Sequence, residues 1–245
     1  MEPAAPLGAQ HRVRFVVLAL AGIGGWLDGL TFTAFGGVFV SAVTGDLVQV
    51  GITAERGDWR DLALLLVALV AFAAGTAISV LLVRAVGATA WPGPVRRPLL
   101  VHAAILVVFA IAWTLAADPR HGSLEAYAIV AVAALSAGVQ GAAVLGLGVR
   151  GASVNAVTGV LMLLGASLAE RGGRIPGPRA GVPAWMLAMI LVVYTVSGFL
   201  VALAFGAHRV VAWVPAAVAL AVLVAVPRVR PPQGSTASSA ASSVG

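Results

Sequence analysis

A chain of 245 residues that is 60% hydrophobic and only 10% charged cannot cover an aqueous surface, since soluble domains are about a quarter charged. All fifteen basic residues are arginine and leave a net charge of +6, but they lie between apolar runs instead of forming one stripe, so nucleic-acid binding is not expected. The absence of cysteine excludes disulfides, thiol nucleophiles and cysteine-held metals. The composition therefore predicts an all-α, polytopic membrane protein whose main partner is the lipid bilayer.

The two ends of the chain differ from the rest. Residues 1–14 are polar and are expected to form a cytoplasmic N-terminal segment. The apolar stretch before a signal-like Ala-Leu-Ala at 19–21 is too short for a signal peptide, so we expect the first helix to be retained. Residues 231–245 are small, polar and led by proline, and they cannot bury enough apolar surface to offset the entropy of ordering. We expect a disordered cytoplasmic tail there.

Hydrophobic segments fill the chain between these ends, and most of them are long enough to span a bilayer. In chain order they cover residues 15–35, 36–54, 62–84, 98–117, 125–147, 151–169, 182–206 and 210–227. The second and sixth are short, glycine-rich and joined to the preceding helix almost without a polar loop. Interrupted segments at matching places in two halves indicate the binding site of a transporter.

The two halves match in sequence. Residues 37–51 align without gaps on residues 151–165, with identity at eight of fifteen positions. We therefore predict two tandem membrane repeats, at 15–117 and 125–227.

The number of crossings depends on the two short segments. If both are re-entrant, the chain crosses six times and the repeats are inverted; if both cross, there are eight crossings and parallel repeats. The positive-inside rule places both termini in the cytoplasm in either case. We favour six spanning helices and two re-entrant segments.

Asp28 is the most informative polar residue. It follows Phe15 by thirteen residues, about 20 Å along a helix, which places it near the bilayer midplane. A charge at that depth costs several kcal/mol and usually marks a substrate or proton pathway. The alternative is a protonated side chain that only bonds to the backbone of a neighbouring helix.

A Thr-Gly pair occurs in each short segment, three residues after a Ser or Asn. The residues are Ser41, Thr44 and Gly45 in the first copy and Asn155, Thr158 and Gly159 in the second. Such residues suit a helix break, and two facing breaks would enclose a polar cavity. A helix N-terminus there would favour an anionic solute. The alternative is that the small residues merely let helices pack closely.

Three further polar residues carry weaker signals. Asp46 follows the first Thr-Gly pair, but the equivalent residue is Val160, so the repeated fold does not need the charge; Asp46 is either functional or at a wet interface. Gln140 is a weaker pathway candidate, since a buried glutamine often only joins helices. His102 lies near the start of a segment and is expected at the membrane interface.

A family resemblance rests on two patterns. GGWLDGLTFTAFGGVFVSAVTGDLVQVG, followed about 110 residues later by AGVQGAAVLGLGVRGASVNAVTG, resembles the YoaK-like bacterial membrane proteins over residues 13–227. That resemblance implies a six-helix protein of the bacterial inner membrane with a domain of unknown function, commonly regarded as a permease. The family usually has Thr-Gly-Asn where this chain has Asp46 after Gly45, so a role that needs a neutral amide is not expected.

These observations favour a transporter or permease for a small solute, with Asp28 as a proton-coupling group. A passive channel and a non-transporting assembly or sensor protein are the alternatives. No nucleotide-binding or hydrolase motif is present, so no enzyme activity, catalytic residue, metal or cofactor is expected. Association with further copies through helix faces is left open.

Overall fold

The computed structural model describes residues 7–84, 93–116, 122–146, 157–171 and 183–226. Every regular element in these ranges is helical, as the composition predicts. The helices are α1 (Leu7–Ala34), α2 (Val43–Glu55), α3 (Trp59–Arg84), α4 (Gly93–Leu115), α5 (Leu124–Gly146), α6 (Val157–Arg171), α7 (Ala184–Ala204), α8 (His208–Val211) and α9 (Trp213–Ala225), with a 3₁₀ turn at Phe205–Ala207 before α8.

Five helices, α1, α3, α4, α5 and α7, are long and apolar enough to cross a membrane. The apolar stretches Val157–Leu168 and Arg209–Ala225 are shorter. Helix α2 has 13 residues and extends for about 20 Å, less than the roughly 30 Å of hydrocarbon. The chain is thus a multi-pass membrane protein in which α2 is too short to span alone.

The first helix differs from its predicted limits at both ends. It begins at Leu7, inside the segment expected to precede the membrane, because a helix continues into the interface where Arg14 lies over the Trp185 ring, 5.3 Å from its centroid. It ends before Gly36 and Gly37, whose φ angles of 70° and 97° are left-handed and stop a helix. The tail predicted at 231–245 lies outside the described residues.

Helices α1 and α7 are parallel and in backbone contact. The starts of both are joined by Arg14 and Trp185. Further along, a Cβ on Gly25 would lie 2.2 Å from the Tyr194 carbonyl oxygen, and one on Gly29 would lie 3.0 Å from the Cα of Gly198. Only glycine permits so close an approach.

Helices α3 and α5 form a second parallel pair. Near their starts the Tyr127 hydroxyl donates to the Arg60 carbonyl at 3.0 Å. In the middle, a Cβ on Gly75 would lie 2.1 Å from the Leu135 carbonyl oxygen. A Cβ on Gly138 would lie at the same distance from the Phe72 carbonyl oxygen.

Side chains at the helix ends fix the remaining directions. Phe35, just after α1, packs edge-on against Trp113 near the end of α4, with ring centroids 5.8 Å apart. Trp213 at the start of α9 donates to the Thr114 hydroxyl at 3.1 Å, and Leu115 and Glu125 line one shallow cavity. Thus α1, α4 and α7 run from a first face of the bundle to a second, and α3, α5 and α9 run back.

Candidate functional site

The buried polar groups are concentrated at the break between α1 and α2. Four consecutive backbone N–H groups there, those of residues 39–42, donate to carboxylate oxygens. Asp28 accepts from residues 40, 41 and 42 at 2.7, 2.7 and 3.1 Å. Asp46 accepts from residue 39 at 3.0 Å. The two carboxylates therefore hold the whole break.

A glycine turn brings the break back along α1. After Gly36 and Gly37 the chain reverses, and the Thr31 hydroxyl donates to the Val38 carbonyl at 2.9 Å. Val40 then lies beside Asp28, twelve residues earlier in the chain. The glycines that end α1 therefore place the N–H donors of the break next to the Asp28 carboxylate.

Asp28 also binds side chains from two other parts of the molecule. It is only 2% exposed and accepts from the Ser41 hydroxyl at 2.6 Å. The Tyr194 hydroxyl of α7 is its fifth donor. Asp28 therefore joins α1, the break and α7.

Asp46 has a different environment on the first turn of α2. The Gln49 amide donates to the Gly37 carbonyl at 2.9 Å and lies 3.4 Å from Asp46 Oδ1, so both side chains hold the glycine turn. The other carboxylate oxygen, Oδ2, is buried and has no hydrogen-bond partner among the described residues. One oxygen of the Asp46 carboxylate is thus without a partner in the described part of the chain.

Side chains from three elements converge on Gly24 of α1. The Ser41 hydroxyl oxygen, the Gln140 amide nitrogen and the Tyr194 ring would lie 3.4, 3.7 and 3.7 Å from a Cβ at this position. Because Gly24 is near the middle of the span His11–Ala34, this convergence lies close to the bilayer centre.

The Gln140 amide has a defined orientation. Its nitrogen donates to the Leu20 carbonyl at 2.8 Å, and a carbonyl only accepts, so the amide cannot be reversed without losing this bond. Its oxygen, Oε1, is buried with no partner in the described part of the chain. Gln140 therefore presents a free acceptor inside the bundle.

The family model described as a protein of unknown function, DUF1275, matches residues 16–225. The chain belongs to the DUF1275 family. The UPF0700 transmembrane protein YoaK of Bacillus subtilis (strain 168) is 28% identical over 197 residues, which are 78% of this chain and 84% of that relative. No solved structure matches. The predicted YoaK-like resemblance is confirmed, and neither name assigns a function.

The predicted site residues of this DUF1275 protein fall into two groups. Asp28, Ser41, Asp46 and Gln140 are fully or almost fully buried and lie around the break. In contrast, the side chains of Thr44 and Thr158 are exposed on the outer faces of α2 and α6. Gly45 lies against the Phe39 ring and Gly159 is half-buried on α6. Asn155 lies outside the described residues.

The backbone N–H groups of the break are not available to bind an anion. The sequence suggests that the start of the second segment presents unpaired N–H groups to an anionic solute. In the structure the N–H groups of residues 39–42 donate to Asp28 and Asp46 instead. The two carboxylates thus take the donors of the stretch before α2, which itself begins at Val43.

His102 is fully buried and does not lie at the interface as expected, because α4 begins at Gly93, more than two turns before it. Its Nδ1 lies 2.9 Å from the Ser136 hydroxyl, and its Nε2 has no partner among the described residues. Ser136 and Gln140 are one turn apart on α5, so the buried polar groups extend from the break toward α4.

The sequence reasoning missed Tyr194. It is one of only two tyrosines in the chain and lies within an apolar helix. A tyrosine hydroxyl in such a position usually has a hydrogen-bond partner, and this signal would have suggested a link to a buried acid.

Proposed function

We propose that this DUF1275 protein is a secondary transporter, a permease for a small solute, with its pathway at the break between α1 and α2. The observation that carries the proposal is Asp28, a buried carboxylate inside a spanning helix, which lies beside the break between α1 and α2. Ionisable side chains at this depth characteristically mark solute or ion pathways. Irregular backbone within a membrane is tolerated only where protein or a polar cavity satisfies it.

The packing order supports the two-copy arrangement. Helix α1 packs on α7 as α5 packs on α3, and α2 packs on α3 as α6 packs on α7. If α1 corresponds to α5, α2 to α6 and α3 to α7, these contacts of one copy have their equivalents in the other. This is the relation expected of transporters built from internal repeats.

The helix directions fit six crossings if α8 and α9 together form the sixth, over the apolar stretch Arg209–Ala225, since α9 alone is as short as α2. Helix α1 ends on the second face, where α3 begins, so α2 would return to the side on which it started. Helix α5 ends on the first face, where α7 begins, so α6 would do the same from the opposite side. Short segments that enter from opposite faces favour inverted repeats and alternating access.

The partners of Asp28 suit a proton-coupled step. The hydroxyls of Ser41 and Tyr194 can donate to an ionised carboxylate or accept from a protonated one. Asp28 can therefore gain and lose a proton while it keeps these contacts. The proposal assigns the chain no enzymatic reaction, metal or cofactor.

Transport can be tested with the full chain in liposomes that enclose a pH-sensitive dye. Neutral, anionic and cationic solutes are supplied in turn across an imposed pH gradient, to wild type and to Asp28→Asn. We expect at least one solute to change the internal pH faster with wild type than in protein-free liposomes, and the variant to lose this response.

Two results would count against the proposal. If no solute of any charge class moved above the protein-free rate, the chain would be an assembly or sensor protein. If wild type passed steady single-channel currents in a planar bilayer, it would be a passive channel.

A further inference from the structure

The unpartnered side-chain atoms at the break are hydrogen-bond acceptors. Asp46 Oδ2 and Gln140 Oε1 belong to fully buried side chains and have no partner among the described residues. Buried polar atoms in folded proteins are nearly always bonded, so unfilled ones indicate a missing ligand, ion or water. Here that missing group must be one that oxygen acceptors attract.

The neighbouring donors are already in use. The N–H groups of residues 39–42 donate to the two carboxylates. The amide nitrogens of Gln49 and Gln140 donate to the carbonyls of Gly37 and Leu20. An anion or a ligand that only accepts hydrogen bonds would find the four backbone N–H groups already bonded.

The charge balance at the break points the same way. Asp28 and Asp46 bind the same four-residue segment, and within the described ranges no arginine pairs with either carboxylate. Buried charges are normally paired with an opposite charge or a bound ion. A bound cation would supply that balance.

The space and the ligand set limit which cation fits. A Cβ on Gly24 would already touch Ser41, Gln140 and Tyr194 at 3.4–3.7 Å, so the passage between Ser41 and Gln140 excludes a large organic ion without movement. Among the described residues, no three acidic or histidine side chains form a group that would hold a metal ion, which argues against a divalent ion with its need for several charged ligands.

Resting on the proposed permease function, we infer that its solute is a small monovalent cation that binds at Asp46 Oδ2 beside Asp28. It also passes Gln140 Oε1, which lies on the other side of Ser41. Carboxylate and amide oxygens bind both alkali ions and ammonium-type N–H donors. These two kinds of ion share a single positive charge and a small size. Uptake of Na⁺, K⁺ or methylammonium therefore shows whether the solute is an alkali ion or an ammonium-type ion.

The test uses the full chain in liposomes and measures uptake of radiolabelled Na⁺, of rubidium as a K⁺ tracer and of methylammonium. Asp46→Asn removes the charge but keeps an oxygen for the Phe39 N–H, and Gln140→Leu removes the free oxygen while Leu20 keeps its helical hydrogen bond. We expect saturable uptake of at least one probe by wild type. Each variant should weaken its apparent affinity by about tenfold or more.

A matched control separates this effect from a general loss of charge. Asp58→Asn neutralises an exposed carboxylate just before α3, where it accepts from the Asp61 N–H, and this variant should take up the probes as wild type does. A readout independent of any variant is the unfolding temperature of wild type in detergent. It should rise with a chloride salt of the transported cation and not with choline chloride at equal ionic strength.

Each remaining outcome contradicts a distinct claim. Uptake of neutral or anionic solutes alone would overturn the cation inference and leave the permease intact. Uptake of no solute would overturn both. Cation uptake with wild-type affinity in folded Asp46→Asn and Gln140→Leu would overturn the assignment of the site.

Discussion

Single residues decide whether the break between α1 and α2 is stable inside a membrane. A helix interrupted in hydrocarbon leaves backbone N–H groups that water cannot satisfy. Asp28 and Asp46 accept the four N–H groups of residues 39–42 in the extended stretch before α2, and thus one pair of side chains satisfies this stretch. The same carboxylates that suit a cation pathway are therefore also required by the fold.

The two roles of Asp28 can be separated by substitution. Asp28→Leu leaves the N–H groups of residues 40–42 without an acceptor, and each buried unsatisfied donor costs about 1–3 kcal/mol. The unfolding temperature in detergent should fall by on the order of 10 °C. Asp28→Asn keeps one oxygen for two of these donors and sets an amide against the third, so its loss should be smaller.

The control for this series is Glu55→Leu, which removes an exposed carboxylate at the last residue of α2. Its unfolding temperature should stay close to that of wild type, since exposed polar substitutions change stability by less than about 0.5 kcal/mol. Asp28→Leu unfolding at the wild-type temperature would show that Asp28 does not hold the break.

The sequence predicts some of these residues and not others, for geometric reasons. Asp28 stands out because its depth follows from counting along one helix. Tyr194 does not, because its contact joins residues 166 positions apart. Thr44 and Asp46 are two residues apart, about 200° around a helix, so once Asp46 faces inward Thr44 must face outward. Sequence spacing alone does not say which of the two is inside.

At the scale of helices, apolar runs and glycine stops predict the elements well. The predicted segments and the observed helices agree to within a few residues, with two larger differences. Helix α1 begins earlier, at Leu7, and α2 begins only at Val43, because residues 36–42 form the break. Which helices touch is a different matter. Gly75 and Gly198 lie in the predicted third and seventh segments, yet only the structure shows that Gly75 meets α5 and Gly198 meets α1.

The close helix pairs predict a contrast among glycines. Gly25→Ala, Gly75→Ala and Gly138→Ala would each place a Cβ about 2.1–2.2 Å from a backbone carbonyl oxygen. The helices must separate to relieve this overlap, at a cost of about 1–3 kcal/mol or more. Thermal unfolding of the purified variants in detergent should therefore start well below wild type.

Gly51 and Gly165 provide matched controls on α2 and α6, because a Cβ at either position meets nothing within 4 Å. Alanine there should leave stability unchanged or raise it by up to about 1 kcal/mol, since glycine is a poor helix former. If both sets of variants unfolded at the same temperature, the close packing of α1 on α7 and of α3 on α5 would be wrong.

For the molecule as a whole, transport requires a polar pathway at the bilayer centre and not a sealed apolar core. The absence of native cysteine allows this to be tested with single cysteines and no background. Gln140→Cys places a small thiol at the convergence over Gly24. Val70→Cys is the control, since Val70 is 68% exposed midway along α3 and faces lipid.

The decisive measurement is the rate at which a membrane-impermeant thiol reagent modifies these cysteines in vesicles of each orientation. Gln140→Cys should react from both faces, because a solute pathway admits water to the bilayer centre from each side in turn, while Val70→Cys should react from neither. A folded Gln140→Cys protein that stayed unmodified from both faces would contradict the pathway and leave the cluster around Asp28 a purely structural feature.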